Sequence, residues 1–297
     1  MEFSNWSRLA RDRVEAVLAQ ALEQRKTMPR GRGDAILQEG MAYGVLGGGK
    51  RVRALLAIAA GESVGAPTPW CDSVGAAIEC IHAFSLVHDD MPCMDDDALR
   101  RGQPTVHVKY GQAQALLVGD ALQTLGFELI AEIPAPAPTV VRLVKLLSVA
   151  TGLQGMAGGQ AVDIEAVGKA MRQDQLEAMH GLKTGALIAA SVEMGACCAS
   201  PCEKDLEALK SFARLIGLSF QVADDVLDVS ADAKTLGKTP GKDAAANKPT
   251  FVALLGLEGA QGYARDLHAR ALSAIEPLGS RADVLRGLAN ALVKRTH

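Results

Sequence analysis

The amino-acid sequence predicts an all-α protein, folded as one domain over residues 1–297 and built as a bundle of about ten helices. Three observations carry this. Apolar residues recur at helical spacing along nearly every long stretch. Apolar residues make up 48% of the chain, but aromatic ones only 4%, and Gly and Ala are abundant, which suits close helix–helix approach. Alternating β-branched runs joined by hairpin turns such as Asn-Gly are absent. Length alone (297 residues) suggests about two domains, yet no shift in composition marks a boundary.

The elements follow in order. Val14, Val17, Leu18, Ala21 and Leu22 form the apolar stripe of a first amphipathic helix. Similar patterns run over 34–46, 51–64, 71–87, 106–130, 139–153, 173–198, 203–229 and from 260 to the C-terminus. Pro67 and Pro69 separate two helices, and Pro134, Pro136 and Pro138 form a stiff connector. Residues 230–248 carry four Lys, two Gly and a Pro with little apolar content, and read as a mobile loop.

Charge and composition exclude several functions. With 31 basic against 34 acidic side chains and few aromatics, the chain lacks the basic face or stacking platform of a nucleic-acid binder. The uncharged stretch 146–162 is too rich in Gly and Gln for membrane insertion. No apolar signal run opens the chain, and six cysteines without scaffold spacing fit a reduced, cytoplasmic setting. Cys197, Cys198 and Cys202 have no nearby His and are insufficient for zinc.

Two helix ends are acidic. AFSLVHDD and LSFQVADD are both apolar helical runs closing on Asp-Asp. The first continues as Met91-Pro92-Cys93-Met94-Asp95-Asp96-Asp97, and Pro92 ends the helix near Asp90. In the second, Asp224 and Asp228 share a helix face, and Asp225 faces Asp228. Like charges at that spacing cost roughly 0.2–0.5 kcal/mol each, and the negative helix pole worsens the placement. A divalent cation removes the conflict. Mg²⁺ takes hard oxygen ligands, commonly one or two carboxylates plus substrate phosphates.

Cations fit for phosphate lie between and around these ends. Lys50, Arg51 and Arg53 follow three glycines at a helix start, which reads as an anion site. The segment matches part of a nucleotide phosphate loop, but Arg51 stands where that loop needs Ser or Thr. Arg100 and Arg101 follow the first acidic cluster directly, and guanidinium forks suit diphosphate oxygens. His82 lies about two turns before Asp89 on roughly the same face. Lys183-Thr184 interrupts an apolar helix, and Lys238 and Lys242 decorate the loop as a lid closing on phosphate would.

GGGKRVR, ECIHAFSLVHDDMPCMDDDALRRGQPTVH, GDALQ, GGQAVDIE, HGLKTGALI, FQVADDVLDV and TLGKTPGKDAAANKPTF occur in this order. In order and spacing they resemble the bacterial short-chain trans-prenyltransferases, the polyprenyl diphosphate synthases. The resemblance covers nearly the whole chain and implies helices packed around a central cavity. It implies that Asp89, Asp90, Asp95, Asp224, Asp225 and Asp228 hold three Mg²⁺, with Mn²⁺ as an alternative. It assigns Arg100, Lys183 and Lys238 to an allylic diphosphate, and Lys50, Arg53, His82 and Arg101 to isopentenyl diphosphate. Thr184 and Gln221 would lie with Lys183 at the reacting carbon, Gln160 and Asp163 would line the cavity, and the family is homodimeric.

The implied reaction joins isopentenyl diphosphate head-to-tail to dimethylallyl and then geranyl diphosphate, through an allylic cation. Phe84 sits five residues before Asp89, about 7.5 Å deeper along the helix. With the long Asp89–Asp95 spacing, it resembles the farnesyl-producing type, in which the ring would floor the cavity at a C15 product. Cys93 within the motif keeps a C20 product open. A class I terpene cyclase would carry a different second motif, and a non-catalytic subunit would have lost one.

Overall fold

The computed structural model describes residues 2–26, 31–230 and 249–293, thirteen α-helices with one short hairpin among them. The first four helices are α1 (Phe3–Gln24), α2 (Arg32–Leu46), α3 (Val52–Ser63) and α4 (Thr68–Asp89). A hairpin of β1 (Leu99–Arg100) and β2 (Gln103–Pro104) precedes α5 (Val106–Tyr110), α6 (Gln112–Ala131), α7 (Ala137–Thr151) and α8 (Met156–Ala166). Then come α9 (Gln173–His180), a π-helical turn (Gly181–Gly185), α10 (Ala186–Cys197), α11 (Glu203–Ser230), α12 (Phe251–Ala274), a 3₁₀ segment (Glu276–Ala282) and α13 (Asp283–Val293).

Prolines act as starts rather than mere breaks. Pro67 is the N-cap of α4 with Pro69 in its first turn, and Pro136 and Pro138 do the same for α7, since a missing N–H costs nothing there. The run expected over 106–130 divides at Gly111, whose φ of 90° few other residues adopt. The hairpin was not expected. Its strands are two residues long, too short for alternation to show.

Helix α4 runs through the core, with α1, α2, α3, α6 and α10 packed around it. Its residues Val74, Ala76, Ala77, Ile78 and Ile81 are all buried, so its C-terminal end is carried on a rigid support. Helix α11 packs mainly against α12 and α10 and brings the second acidic end up from the other side. Taken as one piece, Ala137–Ala166 has the length and hydropathy of a membrane span. However, 152–155 form a turn that splits it into α7 and α8, each shorter than the roughly 20 residues a bilayer demands.

Candidate active site

The first acidic end is a helix terminus with its loop folded back over it. Helix α4 stops at Asp89, and Asp90 caps it. Beyond Pro92 the chain returns, so that Asp95 N–H donates to the Asp89 carbonyl at 2.8 Å and Asp97 N–H to the Asp90 carbonyl at 3.1 Å. This satisfies orphan carbonyls of the helix and crowds carboxylates together. Burial, and then the neighbouring Asp95 and Asp90, push the Asp89 carboxyl up to about 6, with Lys183 and Arg100 opposing.

Asp90 is treated differently. Arg100 Nε reaches its Oδ1 and Oδ2 at 2.8 and 2.9 Å, and Nη2 reaches Oδ1 at 2.6 Å. The hairpin presents Arg100. Its turn residues, Arg101 (φ 54°) and Gly102 (φ 75°), are both left-handed, as a tight two-residue hairpin requires. From that turn Arg101 reaches across to donate to the Gly48 carbonyl.

The expected trio of cations after the glycines divides. Arg51 turns inward, bonded to Glu15 at 2.6 Å, to Glu79 at 3.2 Å and to the Val45 carbonyl at 2.6 Å. It joins α1, α4 and the end of α2. At the α3 N-terminus, Glu79 Oε1 accepts Ala54 N–H at 3.3 Å. Arg53 Nη1 lies 3.2 Å from His82 Nε2. Burial, reinforced by Arg53 and Arg101, holds His82 well below the ordinary imidazole range, so it accepts from the guanidinium as a neutral ring. Arg53 Nε is buried without a protein acceptor. Lys50 lies exposed on the same turn.

Opposite α4, helix α8 and the π turn meet. A Cβ on Gly159 would strike the Lys183 backbone, so only glycine lets the two elements touch. The contact sets Lys183 Nζ 2.6 Å from Asp163 Oδ2, one turn further along α8. The π turn itself is the kind of irregularity that marks functional helices. Next to it, Thr184 donates to Gln221 Oε1 at 2.9 Å. At the second acidic end, Asp225 and Asp228 are buried and Asp224 is half-buried, and the charge of Asp224 reaches Arg53. Asp225 accepts from Gln221 Nε2 at 2.9 Å and from Phe251 N–H at 2.8 Å.

A cavity of about 400 Å³ lies between these elements, with Arg53, His82, Asp89, Gln160, Lys183 and Thr184 on its wall. Phe84 is also in that wall, its ring edge-on to His88 at 5.5 Å. Beyond Ser85 and His88, the remaining wall is apolar and comes largely from Met156, Ala157, Ala161 and Ile164 of α8, which sequence reasoning missed. Its one signal was the glycine-flanked run GGQAVDIE. Arg100 and Arg101 line a smaller neighbouring cavity of about 70 Å³ with Asp90. Lys238 and Lys242, and with them the expected lid, lie outside the described residues.

The donor set fits Mg²⁺ in a specific way. Among the described residues, no three acidic, His or Cys side chains converge to hold a metal alone. Crowded carboxylates such as Asp89 and Asp95, beside cations fit for phosphate, match an ion that takes one or two protein oxygens and the rest from a bound phosphate and water.

These features define a helical protein with paired acidic helix ends and a cationic rim over a cavity with a largely apolar wall. The polyprenyl synthetase family model matches residues 34–277, and the chain belongs to that family. It is 49% identical over 284 residues to the probable farnesyl diphosphate synthase of Sinorhizobium fredii, covering 94% of this chain and 84% of that one. The farnesyl diphosphate synthase of Escherichia coli is 47% identical over 264 residues, 86% of this chain and 88% of that one. The Helicobacter pylori geranyltransferase, solved as a complex with magnesium and isoprenyl diphosphate, superposes with a TM-score of 0.84 at 34% identity, covering 99% and 97%.

Proposed function

We propose that the chain condenses isopentenyl diphosphate with dimethylallyl diphosphate and then geranyl diphosphate, giving farnesyl diphosphate and free diphosphate. One observation carries this reading: a single cavity has an acidic and cationic rim, apolar walls and an aromatic ring at Phe84. The names of the relatives agree with it.

Asp89 and Asp95 from one end, with Asp224 and Asp228 from the other, would hold Mg²⁺. Asp90 and Asp225 stand behind them. When bound, the metal neutralises the leaving diphosphate and favours its departure. Arg100, Lys183 and Lys238 bind the allylic diphosphate; Lys50, Arg53, His82 and Arg101 bind that of isopentenyl diphosphate. The allylic C–O bond breaks with its electron pair leaving on the diphosphate. The double bond of isopentenyl diphosphate then supplies electrons to the allylic carbon, and the adjacent proton passes to the departed diphosphate. Thr184 and Gln221 face the carbon on which positive charge develops. The apolar wall of α8 excludes water that would quench the cation, and Phe84 stops the product at fifteen carbons.

Leu116 and Leu117 of α6, Val141 and Val149 of α7 and Leu153 in the turn after it are exposed apolar side chains. A second copy of the chain covers them in our reading, making a homodimer that sedimentation equilibrium would detect. Six free thiols suit the cytoplasm.

The test is incubation with isopentenyl diphosphate and, separately, dimethylallyl, geranyl and farnesyl diphosphates, with and without Mg²⁺. Mg²⁺-dependent C15 from the two shorter starters and nothing from the longest is the expected result. A C20 product would move the floor away from Phe84. No condensation would overturn the reading.

A further inference from the structure

A line of hydrogen bonds leads from the cavity wall back into the protein. The Thr184 hydroxyl donates to Gln221 Oε1, Gln221 Nε2 donates to Asp225 Oδ1, and Asp225 Oδ2 accepts the backbone N–H of Phe251. The polarity of every link is set by chemistry. A backbone N–H only donates and a carboxylate only accepts, so Gln221 must turn its NH₂ toward Asp225 and its carbonyl toward Thr184. With its proton held by that carbonyl, the Thr184 oxygen offers lone pairs to the cavity. Oxygen lone pairs stabilise positive charge developing beside them, and a hydroxyl proton turned the same way opposes it.

The line is braced at both ends. Gln221 and Asp225 lie four residues apart on α11, on one face. Phe251 opens α12, with Thr250 capping the helix through Ala253 N–H at 3.1 Å. Its ring lies 5.6 Å from that of His180, the residue before the π turn that carries Thr184, and 5.9 Å from that of Tyr263. The same ring thus packs against the residue that leads into the turn holding Thr184, while its backbone holds Asp225.

We propose that Asp225 is a positioning residue rather than a metal ligand: it fixes the amide of Gln221, and through it the direction of the Thr184 hydroxyl. The inference rests on the prenyltransferase reading above. It concerns the rate of the chemical step and leaves substrate and metal binding to other residues.

Asp225→Asn keeps the shape and reverses the polarity. The new side chain must leave its carbonyl on Phe251 N–H, so its NH₂ faces Gln221. That amide flips, and the Thr184 proton swings into the cavity. The expected result is a fall in kcat of about 10- to 100-fold, with KM for both diphosphates and the Mg²⁺ concentration for half-maximal rate unchanged. Adding Gln221→Glu restores the polarity at equal length, because a carboxylate at 221 accepts both from the new amide and from Thr184. It also returns the pair to its original charge. This double variant recovers most of the lost kcat.

Thr184→Val lowers kcat by a similar factor, and Asp225→Asn on that background costs little more. A raised Mg²⁺ requirement in Asp225→Asn would return Asp225 to the metal and overturn the proposal. So would a double variant that folds like the wild type by near-UV circular dichroism but regains nothing. If Asp225→Asn does not fold, the double variant and Thr184→Val decide: near-wild-type kcat in the first and a fall in the second support the proposal, and any other pair of results overturns it. The wild type is assayed first. Its failure to condense any starter would count against the prenyltransferase reading instead.

Discussion

The two acidic helix ends look alike in sequence and differ in what surrounds them. Each closes an apolar run with Asp-Asp, and in each the second aspartate is spoken for by the protein. Asp90 receives the Arg100 fork from the hairpin; Asp225 receives Gln221 and a backbone N–H. The partners set the consequence. Arg100 is a charged group that binds substrate in the proposed reaction, so Asp90 governs where a diphosphate is held. Gln221 is neutral and leads to Thr184, so in the proposed reaction Asp225 would govern the reacting carbon. On the proposed reading, the repeated dipeptide would supply one metal ligand and one anchor at each end.

The largest effects should fall on the first aspartate of each pair. Asp89→Ala and Asp224→Ala are each expected to lower kcat about 10²- to 10³-fold, read by steady-state condensation at saturating Mg²⁺. Near-wild-type turnover in either variant would break the parallel between the ends. Asp90→Asn comes next and sharpens the contrast. Losing the bidentate partner of Arg100 should raise KM for the allylic substrate about 10-fold while kcat moves less. That is the opposite split from Asp225→Asn, and a pure kcat effect at Asp90 would erase the distinction.

Phe84→Ala tests the floor on the α4 side. Its ring lines the cavity and meets His88 edge-on, so its removal deepens the space below Asp89. Chain-length analysis of extracted products should show C20 appearing beside C15. Unchanged product length with activity retained would place the floor elsewhere, and the α8 wall at Met156 and Ile164 is the next candidate.

What could be read from the sequence was what repeats locally. Helical periodicity and proline positions located most helices, and carboxylates at the ends of apolar runs marked both acidic sites. Features that depend on distant partners stayed hidden. Local pattern alone does not separate Arg51 from Arg53 in GGGKRVR; Glu15 and Glu79 on other helices, with the Val45 carbonyl, draw Arg51 inward. Helix α8 was missed because glycines at 158 and 159 weaken its propensity, whereas one of them exists to meet the Lys183 backbone. The bond from Phe251 to Asp225 spans 26 residues and obeys no period.

The smallest expected effect separates the two ends by pH. At the second end His180 is buried against Phe251, and burial lowers its imidazole from 6.5 to about 4. Between those values the unfolded chain binds a proton that the folded chain refuses. The contribution of His180 is therefore whole above about pH 6.5 and drains away as pH falls toward 4. At the first end Asp89 is raised from 3.8 to about 6. There the folded chain holds the extra proton, and stability is lost as pH rises through that window. Thermal unfolding across pH 4 to 7 should thus respond in opposite senses. His180→Phe, which keeps a ring against Phe251, should make the acid-side decline shallower, though His82, also lowered by burial, retains part of it. Asp89→Asn should make the same decline steeper and leave the protein more stable near pH 7 without Mg²⁺. Parallel changes in the two variants would mean that the ends share one electrostatic environment, and the division between a binding end and a reaction end would have to be drawn elsewhere.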